Sequence, residues 1–160
     1  MNESVGFIGL GAMGSRMAAN VVAAGHDLIC YDRAGTASRA PEGAAVAGSV
    51  AEVAARARLV VLSLPDGAAS ASVADEIIES NRRLTDTVID TSTIGVAAAK
   101  SVQERLARVD LSYIDAPVSG GIAGAAAATI ALMFAGEAAD FERLSPVLTA
   151  MSKNPFHVGT

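Results

Sequence analysis

Val5-Gly6-Phe7-Ile8 runs directly into Gly9-Leu10-Gly11-Ala12-Met13-Gly14. The first four residues form a short apolar run of the kind that makes a buried strand. The next six read G-x-G-x-x-G. The stretch Ala12 to Ala24 then places Met13, Met17, Val21 and Val22 on one apolar helix face. A glycine-rich turn alone is a weak signal, but between a strand and a helix it acquires a mechanism. Gly9 permits the tight turn, Gly11 opens the backbone to a pyrophosphate, and Gly14 lets the helix pack against the strand. The turn, Leu10 included, is therefore expected to bind a dinucleotide. The free amides of Ala12, Met13 and Gly14 would face the anion at the positive end of the helix.

Working outward, Gly25 is placed to end the helix, and Leu28-Ile29-Cys30-Tyr31 forms a second strand ending at Asp32, 18 residues past Gly14. A carboxylate there can accept hydrogen bonds from the adenosine ribose hydroxyls, which favours NAD. Arg33 follows it, and a guanidinium could stack on adenine or pair with a 2′-phosphate. NAD is favoured over NADP, with use of both left open. The loop from Ala34 to Gly43 reads as the most mobile segment.

Further along, Ala45-Val46-Ala47 is expected as a short strand. Ser49-Val50-Ala51-Glu52 forms a capping box that opens a helix to about Ala57. Strands follow at Leu59 to Leu62, Thr87 to Ile89, Leu111 to Ile114, Thr129 to Ala135 and Phe156 to Val158. Helices are expected over Val96 to Val109 and Glu137 to Met151. Apolar strands alternating with helices predict an α/β domain with a doubly wound, mostly parallel sheet of the Rossmann type, single over residues 1–160. Its crevice lies at the carboxyl ends of the strands. Leu64-Pro65 and Thr91-Ser92-Thr93 both follow strand ends and so border that crevice. Leu64 and Pro65 would form a wall, and the hydroxyls would reach the nicotinamide ribose or cap the helix after Gly95. Asp66 reads as the N-cap of the helix after Pro65.

Composition narrows the function. The 12 basic residues against 17 acidic ones, net −5, argue against nucleic acid. One cysteine, Cys30, leaves no internal disulfide and no cysteine metal cluster, and fits a cytoplasmic protein. The uncharged stretch Ala116 to Gly136 holds Pro117 and several glycines and is rejected as a membrane span. Met1-Asn2-Glu3 lacks the basic start of a secretory signal. No metal site is expected.

Several stretches together resemble the β-hydroxyacid dehydrogenase family, which includes 3-hydroxyisobutyrate dehydrogenases, tartronate semialdehyde reductases and 6-phosphogluconate dehydrogenases. They are Gly6 to Gly14, Ser63-Leu64-Pro65, Asp90-Thr91-Ser92-Thr93-Ile94, Asp115-Ala116-Pro117-Val118-Ser119-Gly120-Gly121 with Gly124-Ala125, and His157-Val158-Gly159. The resemblance spans the chain in order. It implies that Ser119, Gly120 and Gly121 anchor a small carboxylate substrate, consistent with a hydroxyl and two unhindered amides forming an anion nest. The alternative is a plain glycine-rich turn. It also implies cofactor contacts at Leu64, Pro65 and Thr93, and a structural Asp115 holding the anchor loop. Two departures stand out: Ala128 occupies a usual glycine position, and Phe134-Ala135-Gly136 replaces a Val-Gly-Gly-like end. Both would tighten the strand that follows Thr129.

Hydride transfer to a carbonyl needs a group that protonates the forming alkoxide. The family uses a lysine after its cofactor domain, whereas this chain holds only Lys100 and Lys153, neither at that position. No catalytic residue is therefore expected here. The lysine is expected after Thr160, with the family's helical second domain. The implied activity is NAD(P)-dependent interconversion of a small 3-hydroxy acid and its semialdehyde by a homo-oligomeric enzyme, the isolated chain being inactive. Alternatives are a non-catalytic dinucleotide-binding module and an imine reductase of the same family. A short-chain dehydrogenase is excluded, because neither Tyr31 nor Tyr113 is followed by Lys at the fourth position. His26 and His157 read as structural or surface residues.

Overall fold

Strands of four apolar residues suit a sheet covered on both faces, where each residue must be buried whichever way it points. The computed structural model describes residues 4–160, so Met1-Asn2-Glu3 lies outside the described residues. In chain order the elements are β1 (Val5–Ile8), α1 (Gly14–Ala23), β2 (Leu28–Tyr31), β3 (Ala45–Val46), α2 (Val50–Arg56), β4 (Leu59–Leu62), α3 (Gly67–Glu79) and β5 (Thr87–Asp90). They continue with α4 (Val96–Ala107), β6 (Ser112–Asp115), β7 (Val118–Ser119), α5 (Gly121–Ala127), β8 (Ala131–Ala135), α6 (Ala138–Met151) and β9 (Phe156–Gly159).

The strands form one sheet in which β3-β2-β1-β4-β5-β6 are all parallel. The chain reverses direction across the sheet at β1, so a topological switch point opens between β1 and β4. Beyond β6 the sheet turns antiparallel. Asp115 pairs Ala135, Val118 pairs Leu132 and Ser119 pairs Ala131, while the Met133 amide donates to the Pro117 carbonyl at 3.0 Å. The register is unbroken, so β6 and β7 act as one edge against β8, interrupted at Ala116-Pro117. Strand β9 lies parallel on the other side of β8.

Side-chain alternation divides the core. Val5, Phe7, Cys30, Val61 and Phe134 meet α1 and α6 on one face. Ile8, Ile29, Val60, Leu62 and Val88 meet α2, α3 and α4 on the other. The alanine-rich helices lie close to the sheet: Ala18, Ala54, Ala57 and Ala74 are fully buried.

Several boundaries differ from expectation for local reasons. Helix α1 begins at Gly14, because Ala12 and Met13 remain in the turn. The Ser49 hydroxyl accepts from the Glu52 amide at 3.1 Å, but the Glu52 carboxylate reaches the Gly48 amide at 2.8 Å, one residue outside the capping box. That bond holds the Glu52 carboxyl below its ordinary value. The glycine-rich stretch after Val118 contains β7 and the seven-residue helix α5, not only a turn. Ala128 terminates α5 with φ 55° and ψ 34°, so this departure caps a helix and does not tighten β8. The loop after Asp32 is braced: Thr36 is buried, its Oγ1 accepts from the Asp32 amide at 2.9 Å, and its hydroxyl donates to the Asp32 carbonyl at 3.1 Å. His157 stacks on Phe141 with ring centres 5.2 Å apart and donates to the Gly136 carbonyl at 2.6 Å, a structural role as expected. No helix among the described residues is long and apolar enough to cross a membrane.

Candidate functional site

A cleft of about 860 Å³ opens at the carboxyl ends of the parallel strands. Its floor is the glycine turn. Gly9 adopts φ +97°, and a side chain there would collide with the Ser63 carbonyl, so this glycine is required by the turn itself. A Cβ on Gly14 would strike the Gly9 carbonyl, which ties the helix start closely to the strand. Gly11 differs, since nothing lies within 4 Å of a Cβ built on it. The protein does not need glycine at that position for its own packing, but a group in the cleft would. Among the described residues, the amides of Ala12, Met13 and Gly14 have no hydrogen-bond acceptor. These are the orphan donors of a helix start, and no side chain caps them.

Leu10 departs from its expected part. It is buried, and its amide donates to Asp32 Oδ2 at 2.7 Å. It therefore clamps the turn and does not line the cleft. Asp32 Oδ1 accepts from the Ala34 amide at 2.7 Å, and Arg39 Nη1 lies 3.9 Å from Oδ2. Arg33 and Arg39 both line the cleft beside Asp32. Arg39 escaped the sequence reading because it lies in a loop without periodicity.

The opposite wall comes from the ends of β4 and β5. Leu64, Pro65, Thr91, Ser92 and Thr93 all line the cleft. The Asp66 carboxylate accepts from the Ala69 amide at 2.8 Å and caps α3, as expected. The hydroxyls after β5 do not cap α4. Gly95 is its N-cap, without a side-chain bond. Instead, Thr91 Oγ1 donates to the Leu62 carbonyl at 2.7 Å, and Ser92 Oγ accepts from the Leu64 amide at 2.8 Å. Behind them Asp90 is fully buried. Its Oδ1 accepts from the Ser92 amide at 3.0 Å and its Oδ2 from the Tyr113 hydroxyl at 3.2 Å. Asp90 to Thr93 carried a motif signal, but the partners of this network had none, because its members pair across strands.

Ser119, Gly120 and Gly121 sit exposed beyond Val118, the one residue of that segment at the cleft. Asp115 makes no side-chain hydrogen bond to this loop among the described residues, contrary to expectation. Burial, and then the adjacent Asp90 carboxylate, raise its pKa. Burial, followed by the Asp90 and Asp115 carboxylates, likewise pushes the Tyr113 hydroxyl far above its ordinary value. Lys100 and Lys153 are exposed and neither lines the cleft.

Residues 4–159 match the family of the NAD-binding domain of 6-phosphogluconate dehydrogenase. A probable 3-hydroxyisobutyrate dehydrogenase from Mycobacterium bovis is 39% identical over 158 residues, covering 98% of this chain and 53% of that protein. The solved Mycobacterium tuberculosis 3-hydroxyisobutyrate dehydrogenase with L-serine superimposes with a TM-score of 0.89 at 36% identity, over 100% of this chain and 55% of that one. An imine reductase from a Pseudomonas species shares the fold alone, with a TM-score of 0.88 at 22% identity over 100% of this chain and 56% of that one. The chain spans about half the length of the curated relatives it matches.

Proposed function

The chain belongs to the family of the NAD-binding domain of 6-phosphogluconate dehydrogenase, and on that premise we propose that it is the cofactor-binding half of an NAD(P)-dependent oxidoreductase. The enzyme interconverts a small 3-hydroxy acid and its semialdehyde. The carrying observation is the space at Gly11 beside three amides that lack an acceptor. That is the donor set and room a pyrophosphate requires. When bound, the nicotinamide supplies the site for the hydride.

The residues of the chain bind and orient. Ala12, Met13 and Gly14 hold the pyrophosphate through their amides. Asp32, Arg33 and Arg39 surround the adenosine ribose, with NAD preferred over NADP. Leu64, Pro65 and Thr93 flank the nicotinamide half, because the ends of β4 and β5 lie on the far side of the switch point from β2. Ser119, Gly120 and Gly121 take the substrate carboxylate. Neither lysine lines the cleft, so this reading assigns alkoxide protonation to a lysine beyond residue 160, in the helical half.

Calorimetric titration with NADH and NADPH tests the cofactor assignment. NADH is expected to bind, and Gly11→Val to abolish binding while leaving the circular dichroism spectrum and melting temperature unchanged, since a Cβ at this position meets only open space. Absence of binding by the unmutated chain overturns the reading. The chain alone is expected not to turn over 3-hydroxyisobutyrate with NAD. Turnover would place the proton donor within these residues.

A further inference from the structure

The buried polar chain behind the cleft joins three strands through side chains: β4, β5 and β6. Tyr113 of β6 donates to Asp90 at the end of β5. Asp90 fixes the Ser92 amide, and the Ser92 hydroxyl in turn accepts from Leu64, just past β4. The Ala116 amide also donates to the Asp90 carbonyl, at 2.8 Å, so the same residue holds the start of the Ala116-Pro117 step into β7. Asp90 is fully buried and Ser92 nearly so. A carboxylate costs free energy to bury, and its two hydrogen bonds offset that cost only in one geometry. Apolar residues would fill the same volume more cheaply, so the network specifies positions more than it adds stability.

The positions it specifies are those of one wall. Pro65 has no amide, so the Leu64 N–H is the last donor available to hold this strand end, and Ser92 takes it. We propose that Asp90, acting through Ser92, is a positioning residue for the nicotinamide half of the bound dinucleotide. In this role it sets the spacing between the Leu64-Pro65 wall and Thr93. The adenosine half is held independently, by the glycine turn and its Asp32 clamp, which share no hydrogen bond with this network. The inference rests on the cofactor reading above.

The two halves of the ligand separate the outcomes. ADP-ribose carries the adenosine and pyrophosphate without nicotinamide. Titration of the full chain with ADP-ribose and with NADH gives an affinity ratio that reports the nicotinamide half. Ser92→Ala and Asp90→Leu are expected to reduce that ratio about fivefold, the effect of one lost hydrogen bond, with ADP-ribose affinity unchanged. Asp90→Asn keeps an oxygen for the Ser92 amide and is expected to restore the ratio. Ser92→Ala, which removes one hydroxyl, carries the test if Asp90→Leu does not fold. Equal weakening of both ligands, an unaltered ratio in Ser92→Ala, or a ratio of one in the unmutated chain overturns the proposal. If neither ligand binds the unmutated chain, the cofactor reading fails as well, whereas ADP-ribose binding with an unaltered ratio refutes the positioning role alone.

Discussion

Asp32 shows how one side chain can serve two purposes that the sequence presents as one. Read along the chain, it is a ribose acceptor at the end of β2. In the fold both of its oxygens already accept backbone amides, from Leu10 and Ala34. Asp32→Ala would leave the buried Leu10 amide without a partner, at about 1–3 kcal/mol. Urea denaturation is expected to show that loss, and the ratio of NADH to NADPH affinity is expected to fall, because the charge that repels a 2′-phosphate is gone. Asp32→Asn keeps an acceptor oxygen while removing the charge that repels a 2′-phosphate. It is therefore expected to lower the same ratio with less loss of stability, and a ratio unchanged from that of the unmutated chain in both variants would refute this. Asp115 is a different case, because its pKa is raised, by burial and then by Asp90. The folded state thus holds this proton more tightly than the unfolded chain. Stability is lost as pH rises from the ordinary carboxylate value through the raised folded one. Asp115→Asn should raise the melting temperature at pH 7, and the gain should vanish at pH 3. A gain that persists at pH 3 would point to packing instead of charge.

At the scale of elements, α5 carries a small conformational strain that the amino acid at its end does not relieve. Ala128 occupies the left-handed region, where a Cβ costs roughly 1–2 kcal/mol. Glycine removes that cost and adds some unfolded-chain entropy, so Ala128→Gly should stabilise by about 0.5–1 kcal/mol. A calorimetric melting temperature higher by about 1–4 °C is the expected readout; an unchanged or lower value would mean that the alanine methyl packs favourably. The same helix shows where sequence reading fails. β1, β2 and β4 were legible because each is an unbroken apolar run, and the turn after β1 because its glycines have fixed spacing. Helix α5 was not, since Gly121 and Gly124 disguise a seven-residue element that ends at the left-handed Ala128. Likewise Thr93 and Pro65 could be placed at the cleft from their positions after strands. Asp90 and Ser92 could not be assigned partners, because these lie 23 and 28 residues away in the chain.

At the scale of the molecule, the two faces of the sheet are covered, but one edge is not. All four residues of β9 are exposed, Phe156 by 53% and Val158 by 60%. A parallel edge strand with apolar side chains tends to recruit another surface. Sedimentation velocity is expected to show concentration-dependent association of the chain that persists in high salt, where screening leaves apolar burial intact. Val158→Lys should reduce it, and a monomer at all concentrations would refute the expectation. The opposite property belongs to β1, which pairs β2 on one side and β4 on the other. Of these three strands it is made first and waits longest for its second neighbour. Its second neighbour is complete only at Leu62. At a synthesis rate of about 5–20 residues per second, an apolar strand bearing the glycine turn waits roughly 3–10 s with an open edge. The strand that carries the glycine turn is thus the one longest at risk while the chain is made. Substitutions that slow the arrival of β4 should therefore lower the yield of folded protein without altering its melting temperature.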